Sequence, residues 1–167
     1  MTAPTRAGGF HQVRYDDPAV SALVARLQQE YVARYGGQDD TPISVDELRP
    51  PAGVFLVAYG VAGMSVAMGG WRRHVEARSG RVPGERQVEV KRMYVVPEAR
   101  GYGLARQLLA ELERLARAAG ADQVVLETGL AQPEAIALYR SAGYLDIDAF
   151  GHYCASDQSV HLGKPLH

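Results

Sequence analysis

Apolar residues recur at two spacings along this chain of 167 residues, and the two spacings predict helices mixed with strands. Leu23, Leu27 and Tyr31 recur every four residues, which is the spacing of one helix face. Asp17-Pro18 supplies a cap and a first helical proline, and Gly36-Gly37 ends the helix. The pattern therefore predicts a first helix between these two signals.

Three more helices follow from caps and periodicity. A capping box at residues 44–47 predicts a short second helix. A leucine stripe predicts a long third helix over about residues 102–119. Pro133 begins a fourth helix, and Gly143 ends it.

Short apolar runs, several of them alternating with polar residues, predict the strands. The element order β-α-α-β-β-β-α-β-α-β-β favours a mostly antiparallel sheet with a parallel pair where a helix crosses over. Residues 1–9 are small and polar and are expected to form a disordered tail before a single domain at residues 10–167. The seven predicted strands are residues 10–15, 53–59, 64–71, 87–96, 123–128, 144–150 and 159–162.

The charges of the chain nearly cancel. It has 18 Lys and Arg residues and 19 Asp and Glu residues, for a formal net charge of −1. This balance favours neither a nucleic-acid nor a membrane partner. Cys154 is the single cysteine, so an internal disulfide is excluded. No cysteine and histidine spacing resembles a zinc site, so no metal is expected, and cytoplasm is the expected compartment.

Two glycines mark the turn between the fourth predicted strand and the long helix. The segment Arg100-Gly101-Tyr102-Gly103-Leu104-Ala105 brings bare backbone N–H groups to the start of that helix. These groups have no partner inside the helix, and the helix dipole is positive at this end, so the turn is suited to an anion. Arg100 adds a fixed positive charge suited to phosphate. The turn therefore predicts a phosphorylated cofactor.

Three phosphate-binding arrangements are candidates for this turn. The dinucleotide motif G-x-G-x-x-G needs a third glycine where Arg106 stands, and the neighbouring elements do not form its doubly wound unit. A P-loop ends in Gly-Lys-Ser/Thr, which the chain lacks. The pyrophosphate of coenzyme A remains.

The same turn resembles a motif of a known family. Arg100–Ala105 matches the R/Q-x-x-G-x-G/A motif of the GNAT acetyltransferases. Residues 135–144 resemble the family's A-I-x-L-Y-x-x-x-G-F/Y signature, and residues 127–135 resemble small bacterial members. The resemblance covers roughly residues 10–163. It implies a mixed α/β (α+β) GNAT fold, with a seven-stranded, largely antiparallel sheet, a splayed central parallel pair and about four flanking helices.

This resemblance implies an acetyl-CoA-dependent N-acetyltransferase. An acetyl group would pass from acetyl-CoA to a primary amine of a small molecule by direct attack on the thioester. Two alternative functions remain: a non-catalytic acyl-CoA binding or sensing module, and a protein-lysine acetyltransferase. A homodimer is also possible for a member of this family. Gln132 stands where family members commonly carry Asn. The cofactor would be held by that amide, by Tyr139, by the turn residues Arg100, Gly101, Tyr102, Gly103, Leu104 and Ala105, and by backbone groups of Met93, Tyr94 and Val95.

Glu89 and Tyr139 are the candidate catalytic residues that the resemblance implies. Glu89 lies eleven positions before Arg100, where many family members place a glutamate base. Its alternative is a structural ion pair with Lys91 on the same strand face. Glu127 is the second candidate base or an acceptor-binding group, and His74 is the third. Tyr139 is the candidate general acid for the departing thiolate, and its alternative is a core tyrosine.

The acceptor site is expected near the first helices, the end of the third strand and the last hairpin. Arg34, Tyr35 and Trp71 are its candidate residues, together with Glu127. The basic side chains, with Arg72, Lys91 and Arg92, suggest an acceptor that carries an anionic group such as a carboxylate. For most of these residues, ordinary surface charge is the favoured explanation. A nucleophilic pair of Cys154 and His152 is a weaker alternative, because nothing in the sequence orients the base.

Overall fold

In the residues that the structure describes, the chain forms one seven-stranded sheet with three α-helices. The computed structural model describes residues 9–73 and 86–167. The helices are α1 (Pro18–Tyr35), α2 (Leu104–Ala118) and α3 (Pro133–Ser141). The strands are β1 (Phe10–Gln12), β2 (Gly53–Tyr59), β3 (Ser65–Arg73), β4 (Gln87–Val95), β5 (Gln123–Gly129), β6 (Leu145–Asp146) and β7 (Ser159–Pro165).

The predicted caps set the helix ends. The Asp17 side chain accepts a hydrogen bond from the Ala19 N–H at 2.8 Å, and Pro18 is the first residue of α1. Gly36 closes α1 in the left-handed conformation, with φ 78°, and its N–H donates to Val32. The sequence therefore determines α1 at both ends.

The sheet is mixed, as predicted. Its strand order is β1-β2-β3-β4-β5-β7-β6, and every neighbouring pair is antiparallel except β4 and β5. The parallel pairing runs only from Gln87, opposite Gln123, to Glu89, opposite Val125. Beyond Glu89 the two strands diverge, so the central parallel pair is splayed.

A β-bulge interrupts β4 beside this divergence. Met68 pairs with Tyr94 and Gly70 pairs with Lys91, so two residues of β4 lie opposite Gly69. Arg92, one of these two, has φ 58°, a backbone conformation that non-glycine residues adopt at an energetic cost. The bulge changes the direction of β4 where it leaves β5.

Helices cover both faces of the sheet. On one face, α1 packs its buried Val20, Leu23 and Leu27 against β2, β3 and β4. On the other face, α2 packs a stripe that includes Leu108 and Leu112 against the strands, and α3 adds Tyr139 to the same core. Alternate residues of the strands serve the two cores, as a sheet buried on both faces requires.

Several predicted elements are shorter than expected, and β1, for example, covers only Phe10–Gln12 of the predicted residues 10–15. The capping box at residues 44–47 forms, with the Ser44 N–H donating to Glu47 Oε2 at 3.0 Å, but only a 3₁₀ turn at Asp46–Leu48 follows because Pro50-Pro51 prevents a second turn. The predicted strand at residues 144–150 is reduced to β6 (Leu145–Asp146); beyond it the Ile147 N–H still donates to the His161 carbonyl at 3.0 Å, and the Phe150 N–H donates to His161 Nδ1 at 3.4 Å.

Two expectations lie outside the described residues: most of the N-terminal tail and His74. In the part of the chain that the structure describes, no helix has the length and apolar character needed to cross a bilayer.

Candidate active site

A cavity of about 350 Å³ opens where β4 and β5 diverge. Its walls come from the end of α1 and the loop after it, from β4, β5 and α3, and from the loop before β7. In residues 9–73 and 86–167, no group of three His, Cys, Asp or Glu side chains is arranged to hold a metal ion. The side chains that carry chemistry into the cavity are those of Asp39, Lys91, Arg92, Glu127 and Tyr139.

Glu127 brings a carboxyl group into this cavity. It lies on β5 beyond the last residue that pairs with β4, and it is half-buried. Burial raises the pKa of Glu127, while a hydrogen bond with Ser159 and the charge of Lys91 act in the opposite direction. A carboxylate with a raised pKa is a better proton acceptor than an exposed one.

Tyr139 brings a phenol to the same cavity from α3. Its side chain is buried, and its hydroxyl lies 3.8 Å from Met93 Sδ. Burial raises the pKa of Tyr139, and the charge of Glu127 adds to the rise. The phenol therefore keeps its proton at neutral pH and can act as a donor.

Glu89 lies behind the cavity wall and is bound by two cations. Arg72 Nε donates to Glu89 Oε2 at 3.0 Å, and Lys91 Nζ lies 3.7 Å from Glu89 Oε1. Only 4% of Glu89 is exposed, and it does not line the cavity. The ion pair with Lys91, which was the structural alternative for Glu89, is therefore present.

A buried ion pair between Asp39 and Arg92 forms one wall. Arg92 Nε also donates to the Tyr15 hydroxyl at 3.3 Å. Asp39 also accepts hydrogen bonds from the Thr41 N–H at 2.9 Å and from the Tyr153 hydroxyl at 2.8 Å. Burial opposes ionisation of Asp39, but the Arg92 charge and the Thr41 hydrogen bonds outweigh it and lower the pKa of Asp39 to about 2.

The loop after α1 and the loop before β7 meet at this wall. His152 Nε2 lies 2.8 Å from Asp40 Oδ1, and the Tyr153 hydroxyl oxygen lies 3.0 Å from the same oxygen, so its single proton is shared between Asp39 and Asp40. The hydrogen bonds from His152 and Tyr153 lower the pKa of Asp40. His152 is thus oriented by Asp40, whereas Cys154 in the same loop is exposed. The contacts join two distant parts of the chain at the cavity.

The turn before α2 has the geometry of an anion site. Gly101 and Gly103 have φ 85° and 77°, in the left-handed region that favours glycine. No side chain of the described residues caps α2, so its first N–H groups face outward. A Cβ at Gly101 would meet no atom within 4 Å, and one at Gly103 would meet only Gln107 Nε2, at 3.8 Å. These features fit the pyrophosphate of acetyl-CoA.

Arg100 is held by protein groups beside this turn. Its Nε donates to the Val95 carbonyl at 2.9 Å, and its Nη2 donates to Glu30 Oε1 at 2.6 Å. Its guanidinium also lies 5.6 Å from the centre of the Tyr94 ring. Arg100 therefore ties the turn to β4 and α1, and it shares its charge with Glu30.

The candidate acceptor residues divide into two groups. Tyr35 and Glu127 line the cavity, and the Tyr35 hydroxyl accepts a hydrogen bond at 3.2 Å from Nε2 of Gln132, a cofactor-binding candidate that also lines it. Arg34 and Trp71 do not line it. Arg34 donates to the Ala131 carbonyl at 2.6 Å, and Trp71 is 3% exposed within the core. Helix α1 turns Arg34 away from Tyr35, and strand alternation turns Trp71 into the α2 side of the sheet.

Sequence reasoning did not assign several residues that line the cavity to the site, among them Tyr31, Asp39 and Tyr153. Tyr31 was assigned only to the apolar stripe of α1. Asp39 follows a glycine pair in a loop, and no local pattern indicates that its partner is Arg92, 53 positions away. These contacts depend on tertiary structure.

The model of the Acetyltransferase (GNAT) family matches residues 15–144. The chain is 36% identical to the IAA acetyltransferase of Azospirillum brasilense, over 89% of this chain and 91% of that protein. It is 31% identical to the uncharacterised N-acetyltransferase YjgM of Escherichia coli, over 80% and 78% of the two chains.

Solved structures agree with this result. A Klebsiella pneumoniae protein described as an acyl-CoA N-acyltransferase has a TM-score of 0.76 and 30% identity, covering 95% of this chain and 97% of that one. The PaiA N-acetyltransferase of Thermoplasma acidophilum, solved in complex with coenzyme A, has the same fold, with a TM-score of 0.66 and 13% identity over 94% and 99% of the chains. Sequence motifs, fold and relatives together show that this chain belongs to the GNAT family of acetyltransferases.

Proposed function

We propose that the protein transfers the acetyl group of acetyl-CoA to a primary amine of a small molecule. The observation that carries this proposal is the pair of groups at the strand divergence. A carboxyl group with a raised pKa (Glu127) and a buried phenol (Tyr139) share one cavity beside an open backbone edge. Amine acylation needs a proton acceptor and a proton donor in one place.

The chain offers two backbone surfaces to the donor substrate. The N–H groups of Gly101–Ala105 would hold the pyrophosphate, and the edge of β4 at Met93–Val95, which has no pairing to β5, would hold the pantetheine. Gln132 lines the same cavity and keeps an amide there. Bound in this way, acetyl-CoA supplies an activated acetyl group and leaves as the thiol.

Glu127 is the base that we propose, in preference to Glu89. A primary amine has a pKa of roughly 10.4, so it must give up a proton before it can attack. Glu127 lines the cavity and can take this proton directly or through a water molecule. Glu89 is outside the cavity, and its two oxygens face Arg72 and Lys91. Glu89 is therefore a positioning residue for Lys91.

Tyr139 is the general acid in this proposal. When the bond between acetyl carbon and sulfur breaks and the bond to nitrogen forms, the sulfur leaves as a thiolate. The Tyr139 hydroxyl, which faces Met93 Sδ, can donate a proton to it. A thiol pKa of about 8.5 makes this help modest.

The cavity favours a small acceptor over a protein chain. Two loops border the cavity, which has a volume of about 350 Å³. They contact each other through Asp39 and Asp40 on one side and His152 and Tyr153 on the other. An extended peptide would need an open groove at this position. The small-molecule acceptor is therefore the better fit to this site.

The test is release of coenzyme A thiol from acetyl-CoA, measured against a panel of primary amines with three proteins. Wild type should turn over at least one amine. Glu127→Gln should lower kcat by about a hundredfold or more, since general base catalysis contributes about 10² to 10⁴. Glu89→Gln is the matched control and should keep more than half of the wild-type kcat.

Two outcomes would contradict the proposal. Turnover that survives in Glu127→Gln and disappears in Glu89→Gln would reverse the assignment of the base. Tight binding of acetyl-CoA with no turnover of any amine would favour the sensing module.

A further inference from the structure

Lys91 lines the cavity, and its ammonium group has no hydrogen-bond acceptor in residues 9–73 and 86–167. Lys91 is 8% exposed, and its nearest ion-pair partner is Glu89 Oε1 at 3.7 Å, beyond hydrogen-bond range. Its charge therefore has a counter-ion, but its three N–H donors have no partner. In the described residues, the fully buried side-chain atoms without a hydrogen-bond partner are Trp71 Nε1 and His161 Nε2, so Lys91 Nζ keeps some exposure and is open to an acceptor that a ligand supplies.

The other charged groups at or behind the cavity wall already have partners. Arg92 is paired with Asp39, and Asp39 also accepts hydrogen bonds from Thr41 and Tyr153. Arg72 binds the second oxygen of Glu89 and keeps that carboxylate behind the wall. Among the described residues that line the cavity, Lys91 is the cation that makes no hydrogen bond, and Glu127 is the carboxyl group that is not paired with a cation.

We propose that Lys91 binds a carboxylate of the acceptor, and that the acceptor is a small amino carboxylate. This inference rests on the proposed function and names its substrate class. The carboxylate would accept the Lys91 donors, which directs the amine of the same molecule towards Glu127. One ammonium suits one negative charge, whereas a phosphate dianion would call for a second cation, and Arg92 is held by Asp39.

The decisive test compares acceptors that differ only in this charge. Alanine, β-alanine and γ-aminobutyrate are each assayed beside the corresponding amide, with release of coenzyme A thiol as the readout. Each amide has nearly the same shape as its carboxylate. The amine of alanine amide is less basic than that of alanine, so more of it is unprotonated and ready to attack. A preference for alanine over its amide would therefore appear despite this difference in basicity. Wild type should prefer the carboxylate of at least one pair by about tenfold or more in kcat/KM.

The variant Lys91→Met keeps the length of the side chain and removes the charge. It should raise KM for the preferred amino carboxylate by about tenfold or more, with a smaller change in kcat. The ratio of kcat/KM for this carboxylate to kcat/KM for its amide should then fall close to one. Lys91→Arg should restore part of the preference. Arg114→Met, which removes an exposed charge on α2, is the control for net charge and should keep the wild-type ratio.

The outcomes separate the two levels of the proposal. Equal use of carboxylate and amide by wild type, or a preference that persists in a folded Lys91→Met protein, overturns the role of Lys91 and leaves amine acetylation standing. Failure to acetylate any amine overturns the proposed function and this inference with it. If Lys91→Met does not fold, as judged by circular dichroism, the wild-type comparison decides alone.

Discussion

Three acids at the cavity hold their protons with different strengths. Burial raises the pKa of Tyr139, so Tyr139 remains a neutral phenol. Burial also raises the pKa of Glu127, so Glu127 is a stronger proton acceptor than an exposed carboxylate. Asp39 differs because Arg92 compensates its burial, and its pKa falls to about 2. The immediate partners of each side chain therefore decide whether it can exchange a proton during catalysis.

The Tyr139 hydroxyl should matter for rate and little for stability. In Tyr139→Phe we expect kcat to fall by about tenfold, below the usual range for general acids, because a thiolate of pKa about 8.5 leaves readily. The hydroxyl contacts Met93 Sδ at 3.8 Å, a weak interaction, so the melting temperature should change little. Steady-state kinetics and thermal unfolding measure the two effects.

Tyr144→Phe is the matched control for this substitution. The Tyr144 hydroxyl donates to buried Glu113 at 3.1 Å, on a ring that packs against Tyr139. Its loss should cost about 1 to 3 kcal/mol of stability and leave kcat unchanged. An unchanged kcat in Tyr139→Phe would count against the phenol as proton donor.

Asp39→Asn should destabilise the fold, and its effect should depend on pH. Breaking a buried ion pair leaves Arg92 uncompensated, so we expect a loss of about 3 kcal/mol in the free energy of unfolding at neutral pH. The folded pKa of about 2 lies below the ordinary value of 3.8, so the Asp39 contribution is present above pH 3.8 and is lost as the pH falls towards 2.

Urea unfolding of wild type and Asp39→Asn from neutral pH down to about pH 2 measures this difference. The difference in the free energy of unfolding between wild type and Asp39→Asn should narrow as the pH falls from 3.8 towards 2. Asp16→Asn, which removes an exposed carboxylate paired with Arg14, should leave no comparable gap. A constant gap for Asp39→Asn would show that lost packing, not lost charge, destabilises that variant.

At the scale of single residues, sequence reasoning identified the groups better than their partners. It proposed Glu127 and Tyr139, which the fold brings into one cavity, and it also proposed Arg34 and Trp71, which point elsewhere. A side chain's type is local information. Its partner across the fold, such as Asp39 for Arg92, depends on the tertiary structure.

Among the elements, the start of α2 determines where an anion can bind. Gly103 is its N-cap, adopts a left-handed conformation and has open space beside it. Any side chain here would be strained, and a branched one would also project into that space. The glycine therefore serves the backbone turn and the ligand together.

Gly103→Val should weaken acetyl-CoA binding by about tenfold or more, because it blocks charge-assisted hydrogen bonds to the helix N-terminus. Isothermal titration calorimetry measures the affinity. Gly120→Val is a close control: Gly120 follows the other end of α2, has φ 83° and also has open space. Both variants should lose about 1 to 3 kcal/mol of stability, but Gly120→Val should bind acetyl-CoA normally. Equal affinities in the two variants would remove the anion site from this turn.

Caps and periodicity predicted the helices of this fold, but not the bulge in β4. Proline, glycine and aspartate signals act within a few residues, so the ends of α1 and α3 follow from the sequence. The bulge at Arg92 depends on the register between β3 and β4. Registers are set by long-range pairing, which no local pattern reports.

In the whole molecule, the sheet is closed by helices on both faces and opened at its centre. The short parallel pairing of β4 with β5 is the single place where strand edges diverge inside the sheet, in the part of the chain that the structure describes. The cavity lies at that divergence and the α2 turn follows the end of β4. The element order predicted the mixed sheet, and the family resemblance predicted the splay.

The most direct test of this account is a crystal structure of the protein with acetyl-CoA. We expect the pyrophosphate on the N–H groups of Gly101–Ala105 and the thioester between β4 and β5, within reach of Tyr139 and facing Glu127. Density that placed the nucleotide away from the α2 turn, or the thioester outside the cavity, would contradict the account.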